Sequence, residues 1–384
     1  MKNKKVILLD GSVAQGKPRG MGIYTLNLVL ALSKAIDDYP IQIQVALNSK
    51  KGSDPWPELN QIVKKWGEAS NVITWEQIIL PRLAIKNNAN LIHYMANTAT
   101  WFSKVPYIVT IHDTIFIRSF LKGVNNFCSL KDYLAHIYYC YGVGIGARRA
   151  KHILTDSKSS SEDLINRLKL SNNKISVIPL AVPHPVTLLS EEEVKQILSA
   201  NNITSPYIVA LGAIDGRKNI LNLVKSFAKL SNGNLEITLV LLGFEKYSES
   251  KIPKVLKKLG LYKRVKILNY LSEKEFIAIF QGAECLVYPT RQEGFGLPIL
   301  QAFYLGVPVI TTKISVISEV AGSAARFIDP DDITMLANTM KQVLIDLNIR
   351  RELIKAGKKQ LEKFSWNKTA SQTLAIYKRI LADH

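Results

Sequence analysis

The chain has 384 residues, a formal net charge of +19, 47% hydrophobic residues and 21% charged ones. That length is more than one core ordinarily fills and favours two globular domains. The three cysteines, Cys128, Cys140 and Cys285, are odd in number and lack Cys-x-x-Cys spacing, which argues against a disulfide framework or a zinc site and fits a reducing cytoplasm. No stretch approaches the 18 apolar residues of a spanning helix, and the apolar run of MKNKKVILLDG is only four residues long before Asp10, a first strand and not a signal peptide. The basic excess is spread along the chain, with 23 Lys and Arg against 12 Asp and Glu up to Val182. No basic stripe interleaved with aromatics appears, so a nucleic acid is not an expected partner. Solvated lysines account for most of the charge, and attraction to an anionic membrane surface or a lipid-phosphate acceptor accounts for the surplus.

Lys5 to Leu9 reads as a buried strand, followed by a loop with Gly11, Gly16, Gly20 and Gly22 that leads into a helix from Tyr24 to Ala35. A Gly-x-Gly after a strand is equally a tight turn or a phosphate loop. Strands at Ile41 to Leu47, Leu91 to Tyr94 and Tyr107 to Ile111 alternate with a helix around Glu76 to Lys86, the pattern of a parallel sheet wrapped by helices. His112, Asp113 and Thr114 follow a strand directly and so lie at the sheet's carboxyl edge, where open α/β sheets bind ligands. The connection from Ile115 to Leu134 mixes Phe116, Phe120, Leu121 and Phe127 with Arg118, Lys122 and Lys131, as a lid over a cleft or an interfacial membrane element does. A helix from Leu130 to about Arg149 contains GVGIGARRA, which mimics a dinucleotide fingerprint but follows no strand and reads as close helix packing. Ile153 to Thr155 is a strand, Asp156 to Ser161 caps the next helix, and Lys174 to Ile178 closes the domain.

Pro179, Pro183 and Pro185 cannot continue a strand or a helix and mark the linker. A second alternating series follows: strands at Tyr207 to Leu211, Glu236 to Leu242 and Val265 to Leu268, helices at Leu221 to Leu230, Lys251 to Leu259 and Glu273 to Gln281. Then comes CLVYPTRQEGFGLPILQAFYLGVPVITT, read as strand, glycine turn, helix and strand from Cys285 to Thr312. A helix beginning at the carboxyl end of a parallel strand directs free N–H groups and a positive dipole end at its ligand, which suits phosphate. Arg217 and Lys218 stand where another strand hands over to a helix, so both cations reach the same edge. The only Asp-x-Asp, within Asp329, Pro330, Asp331 and Asp332, precedes the helix Ile333 to Leu347 and reads as its cap and not as a metal site.

EGFGLPI, followed by GVPVITT, SEVAG and DPDD, resembles the donor-binding half of glycosyltransferase family 4, retaining enzymes of GT-B fold that use nucleotide sugars. RGMGIYTLNL resembles the RGxGxY loop of sugar-polymer members, TDSKSSSEDL their TxS-x-x-S run, and LGAIDGRKNI the segment whose Arg and Lys grip the diphosphate. The resemblance implies an α/β GT-B fold, two doubly wound Rossmann-like domains facing across a cleft. It divides the chain into an acceptor-side domain at 1–182, a nucleotide-sugar domain at 183–365 and a helix at 366–384 that crosses back to the first. It implies Glu293 against the donor sugar and His112 at the sugar pocket as catalytic residues. Donor contacts fall to Gly20, Gly22, Arg217, Lys218, Phe295, Gly296, Leu297, Gln301 and, for the base, Tyr270. Two positions depart from the family pattern: Gln301 stands where the second Glu of Glu-x7-Glu is expected, and HDTIF where many members carry HDxxP. A glutamine there keeps an acceptor and gains donors, exchanging charge-assisted bonds for neutral ones at a cost of ~1 kcal/mol.

The implied activity is metal-independent transfer of a hexose from a nucleotide-diphosphate sugar, with no cofactor. RGMGIY resembles mannosyl-transferring members, which implies GDP-mannose. The implied partners are a nucleotide sugar, a glycan or lipid-linked acceptor and an anionic membrane touched peripherally from the cytoplasm, in cell-surface polysaccharide synthesis. A second class, prompted by Gln301 and HDTIF, is a non-catalytic GT-B subunit that binds sugar nucleotide or scaffolds an assembly.

Overall fold

The computed structural model describes residues 4–36, 40–115, 130–183, 187–212, 216–231, 235–244, 247–269 and 271–382, without the side chains of 130–136. The chain forms two compact units, Met1–Pro183 with Ser365–His384, and His184–Phe364. Each is a parallel sheet wrapped by helices.

In the first unit seven strands run in the order β3-β2-β1-β4-β5-β6-β7. They are β1 (Lys5–Asp10), β2 (Ile41–Asn48), β3 (Val63–Gly67), β4 (Leu91–Tyr94), β5 (Tyr107–Thr110), β6 (His152–Thr155) and β7 (Ile175–Val177). Strands β4, β5 and β6 are buried at every position, as strands covered on both faces must be. Leu8, Ile92, Val109 and Ile153 therefore pack into one core with Trp75, Val143 and Leu164 from the helices. β3, sequence VKKWG, was not expected from its pattern: it is an edge strand with two lysines and a half-exposed Trp66, and lacks an apolar run.

Helix bounds differ where the glycines and polar caps are. The first helix spans Gly20–Ala35, so Gly20 and Gly22 belong to its opening turn and not to a loop. Gly22 is required by packing, because a Cβ there would meet Val13 O at 2.5 Å and Pro18 Cβ at 2.8 Å, whereas Gly20 faces open space. The helix expected near Glu76 begins at Val72, with Asn71 accepting from Thr74 N, and passes through one π-turn at Trp75–Ile79 before Leu80–Lys86. Within Leu130–Arg149, a Cβ on Gly146 would meet Ala99 Cβ and N at 3.2 Å, so the glycine keeps the helix close to Ala99, the close packing that its GVGIG run suggested.

The second unit holds six parallel strands in the order β10-β9-β8-β11-β12-β13. These are β8 (Tyr207–Leu211), β9 (Thr238–Leu242), β10 (Val265–Leu268), β11 (Cys285–Tyr288), β12 (Val309–Thr312) and β13 (Arg326–Ile328). Ile208, Leu239, Leu241, Val287 and Ile310 fill its core with Phe227 and Met340. Three helices beyond those expected, Glu191–Ala200, Ser315–Ala321 and Leu347–Leu361, complete it. The first opens with a capping box, Ser190 accepting from Glu193 N while Glu193 accepts from Ser190 N.

The last helix, Trp366–Ala382, belongs to the first unit and packs on Gly20–Ala35. Trp366 Nε1 donates to Val182 O at 2.7 Å, and Ala370, Leu374 and Tyr377 are fully buried. Tyr377 Oη lies 2.6 Å from His93 Nδ1, and His93 Nε2 lies 2.7 Å from Thr110 Oγ1. Burial pushes that imidazole down to about 3, so it works as a neutral hydrogen-bonding link. We expect Leu374→Ala to destabilise the protein by about 3 kcal/mol through the cavity it leaves. Urea unfolding reads this as a lower midpoint at unchanged slope; an unchanged midpoint would show that the helix contributes no core.

Candidate active site

Both sheets reverse strand order once, β1 to β4 in the first unit and β8 to β11 in the second. Adjacent loops diverge at the carboxyl side of such a reversal and leave a crevice between them. In the second unit the two segments are the one after β8, described at 212 and 216–219, and 289–296, after β11.

The Arg217–Lys218 turn and Glu293 meet there. Lys218 Nζ lies 2.7 Å from Glu293 Oε1 and 2.5 Å from Tyr288 Oη, at 4.6 Å from the centre of the Tyr288 ring. Thr290 Oγ1 sits 2.7 Å from the same carboxylate oxygen. Arg217 O accepts from Arg291 N at 2.8 Å, which ties the two loops together through their backbones. Asn219, in the left-handed region at φ 56°, donates to Pro330 O at 2.6 Å and accepts from Arg291. The Arg291 guanidinium grips Asp331 with two bonds of 2.9 and 2.6 Å. Asp332 caps the next helix through Thr334 N and Met335 N, and Asp329 accepts from Asp331 N. The Asp-x-Asp carboxylates are thus engaged in holding loops. Beside the turn, Gly216, Asn219, Phe244 and Arg291 line a cavity of about 490 Å³.

The glycine turn is built for close approach. Gly296 adopts φ +112° as the cap of helix Leu297–Tyr304, a conformation that demands glycine, while a Cβ there would press only on the movable Ile317 Cδ1 at 2.9 Å. Phe295 is buried edge-on against Phe364, which fixes the backbone that opens the helix. In this first turn Pro298 has no N–H and Ile299 N donates to Gly296 O at 3.0 Å, so Leu297 supplies the amide that has no carbonyl partner within the helix. Gln301 lies half-buried on the same helix. Tyr270 falls outside the described residues.

In the first unit His112 follows β5. Its Nδ1 lies 2.6 Å from Asp156 Oδ2 and its Nε2 3.0 Å from Met95 O. A carboxylate and a carbonyl both only accept, so the ring satisfies both by carrying two protons. Burial alone pushes the imidazole down, but the Asp156 carboxylate and the hydrogen bonds to it and to Met95 outweigh that and raise it above its ordinary 6.5. The two acceptors thus favour the doubly protonated ring, with Tyr24 edge-on to it at 4.7 Å. Asp156 is its partner; the cap of the following helix is Ser157, which accepts from Ser160 N.

Sequence reasoning missed two acids on this edge. Asp10, at the end of β1, accepts from Trp75 Nε1 at 2.9 Å and from Ser12 N at 3.0 Å. Glu76, in the π-turn, lies 2.5 Å from Tyr138 Oη and 2.8 Å from Thr98 Oγ1, and burial pushes its carboxyl up to about 8. An Asp closing an apolar strand was the available signal for the first. Glu76 carried none, since its burial depends on the distant Tyr138.

Residues 18–184 match the family description Glycosyltransferase Family 4, and residues 191–360 match Glycosyl transferases group 1. The chain belongs to the group 1 glycosyltransferases, family 4. Among curated family members it is 28% identical to the O-antigen chain mannosyltransferase B of Escherichia coli over 231 residues, 60% of this chain and 61% of that protein, so the match spans less than two thirds of the relative. The fold superposes on the sucrose-phosphate synthase of Thermosynechococcus elongatus, with a TM-score of 0.71 at 18% identity over 99% of this chain and 100% of that one. Against the Anabaena Alr3699/HepE structure in complex with UDP and glucose the TM-score is 0.69 at 17% identity, covering 98% and 99%. These likenesses establish the GT-B fold of the family 4 chain.

The His112–Asp156 pair makes stability depend on pH. A histidine raised on folding contributes stability that is fully present below its unfolded value near 6.5 and is lost as pH rises through the folded value. We expect the stability difference between wild type and Asp156→Asn to be largest below pH 6.5 and to shrink above it, as read by urea unfolding across pH. A difference that grows with pH would show a neutral His112.

Proposed function

We propose that this chain moves a mannosyl group from a nucleotide-diphosphate sugar, GDP-mannose, to a glycan or lipid-linked acceptor in cell-surface polysaccharide synthesis. Transfer retains the anomeric configuration and needs no metal. The observation that carries this reading is the Lys218–Glu293 contact at the strand-order reversal, beside a helix N-terminus opened by Gly296. In the reaction the bond from C1 to the diphosphate oxygen breaks, an acceptor hydroxyl oxygen bonds to C1, and its proton ends on the departing phosphate. Charge therefore grows on the diphosphate, where Arg217, Lys218 and the amides of the helix turn stabilise it. Glu293, held by Thr290, accepts from the sugar hydroxyls and fixes the anomeric carbon against the acceptor. His112 adds its positive charge on the acceptor-side unit.

The mannosyl and polysaccharide part of the reading is supported by the names of the relatives, and metal independence by the engagement of Asp329, Asp331 and Asp332 in loop and cap bonds. Reaction at the inner face of the cytoplasmic membrane is supported by the basic first unit; among the described residues no helix is long and apolar enough to cross a membrane. The segment 116–129, which would supply an interfacial element or a lid, lies outside the described residues.

We expect Arg217→Ala and Lys218→Ala each to lower the turnover of labelled GDP-mannose by about 10²–10³-fold with the fold kept by circular dichroism at the assay temperature, since both act on charge made in the transition state. Activity in both variants at the wild-type level removes them from the site. Turnover should also survive strong chelation; loss restored by Mg or Mn would show a bound metal instead.

A further inference from the structure

The first unit has a second charged concavity, at the edge of the sheet opposite His112. Its walls come from the amino ends of four neighbouring strands. Lys5 opens β1, Asn90 precedes β4, Lys104 lies in the segment leading to β5, and Lys151 precedes β6, while Arg149 ends the helix Leu130–Arg149. They surround a cavity of about 620 Å³, inside the range of small-ligand sites.

Four cations share this cavity, and no Asp or Glu lines it among the described residues. None of the four forms an ion pair with a described carboxylate. Two helices end at the site, Leu130–Arg149 and, through Leu381, Trp366–Ala382, and their carbonyl ends together supply about one negative charge. That leaves most of the positive charge unbalanced, and a concavity lined by one sign of charge concentrates its field on an incoming counter-ion. The geometry is also partly fixed. The Arg149 guanidinium sits 4.6 Å from the centre of the Phe102 ring, which is itself 72% exposed at the rim. Asn90 Oδ1 accepts from Val6 N at 2.8 Å, which commits the oxygen and leaves the amide NH₂ as that side chain's free donor. Tyr107, whose hydroxyl donates to Gly146 O, makes a firm floor.

We propose that this amino-edge cavity is a binding site for a phosphoryl group, distinct from the donor site and independent of the transfer reaction. Lys5, Lys104, Arg149 and Lys151 supply charge-assisted bonds to its oxygens, and the Asn90 amide supplies a directional one. An anionic phospholipid head and a free phosphate compound offer the same chemistry, and the test separates them.

Lys104 and Lys151 are exposed, so replacing both by alanine leaves the core intact. The full chain is compared as wild type, as Lys104→Ala/Lys151→Ala, and as Lys254→Ala/Lys257→Ala, which removes the same charge from exposed positions of the second unit. Equilibrium dialysis measures bound inorganic pyrophosphate, and cosedimentation measures binding to phosphatidylglycerol against phosphatidylcholine vesicles, with a melting curve on each variant. We expect the Lys104/Lys151 variant alone to lose one equivalent of bound pyrophosphate or at least tenfold in affinity for it, with GDP-mannose turnover unchanged. A matching loss of binding to phosphatidylglycerol vesicles identifies a lipid head as the source. Loss of pyrophosphate binding without any vesicle binding identifies a free phosphate compound. Pyrophosphate and vesicle binding equal in all three proteins, or lowered equally in both variants, overturns the proposal.

Discussion

A half-buried lysine and a half-buried glutamate tie together the loops at the strand-order reversal of the second unit. Lys218 and Glu293 lie 2.7 Å apart, with 18% and 12% of their side chains exposed. Removing such charges from water is costly, and their attraction offsets that only when the geometry is good and the remaining valences are filled. Tyr288 and Thr290 fill them. Because the two charges stand on loops that diverge from β8 and β11, pairing them closes the reversal of strand order. Arg291, Asn219 and the Asp329–Asp332 loop brace that closure from outside. Under the proposed function, a diphosphate entering beside Gly296 would compete with Glu293 for the same ammonium group, and the resting contact would set how tightly the leaving group is held.

The first unit solves a different electrostatic problem. It buries His112 with a carboxylate and a carbonyl on its two nitrogens, and so stabilises a cation where burial by itself would neutralise it. A few residues away the same edge keeps Glu76 protonated near neutral pH and links it to Tyr138 and Thr98. Under these lies the column Tyr24, Thr110, His93 and Tyr377, which joins the sheet to the returning helix. Truncation at the far end of the chain thus acts on the floor beneath His112.

How much of this was legible in the sequence follows from which forces are local. Fully buried parallel strands such as CLVY and YIVAL announce themselves as apolar runs, and the strand–glycine–helix order around Gly296 places a ligand edge without any tertiary knowledge. β3 gave no such signal, because an edge strand beside solvent needs no apolar pattern. The helix Glu191–Ala200 was readable from Ser190 and Glu193 as a capping box but was passed over. Gly20 and Gly22, by spacing equally a tight turn or a phosphate loop, form the opening turn of a helix capped by Arg19, and the contacts of Gly22 with Val13 and Pro18 were not readable from spacing. The Asp156–His112 pair spans 44 residues and the Glu76–Tyr138 pair 62, distances at which sequence spacing carries no information.

The central claim is that Glu293 holds the ammonium group that grips the leaving diphosphate. It is tested by the affinity of GDP, without sugar, for wild type, Glu293→Ala, Lys218→Ala and the double variant, measured by isothermal titration. If the account is right, Glu293→Ala frees Lys218 and binds GDP several-fold more tightly than wild type while losing transfer, and this gain disappears when Lys218 is also alanine. Glu293→Ala binding GDP as wild type does or more weakly, or gaining the same affinity in the Lys218→Ala background, would contradict it.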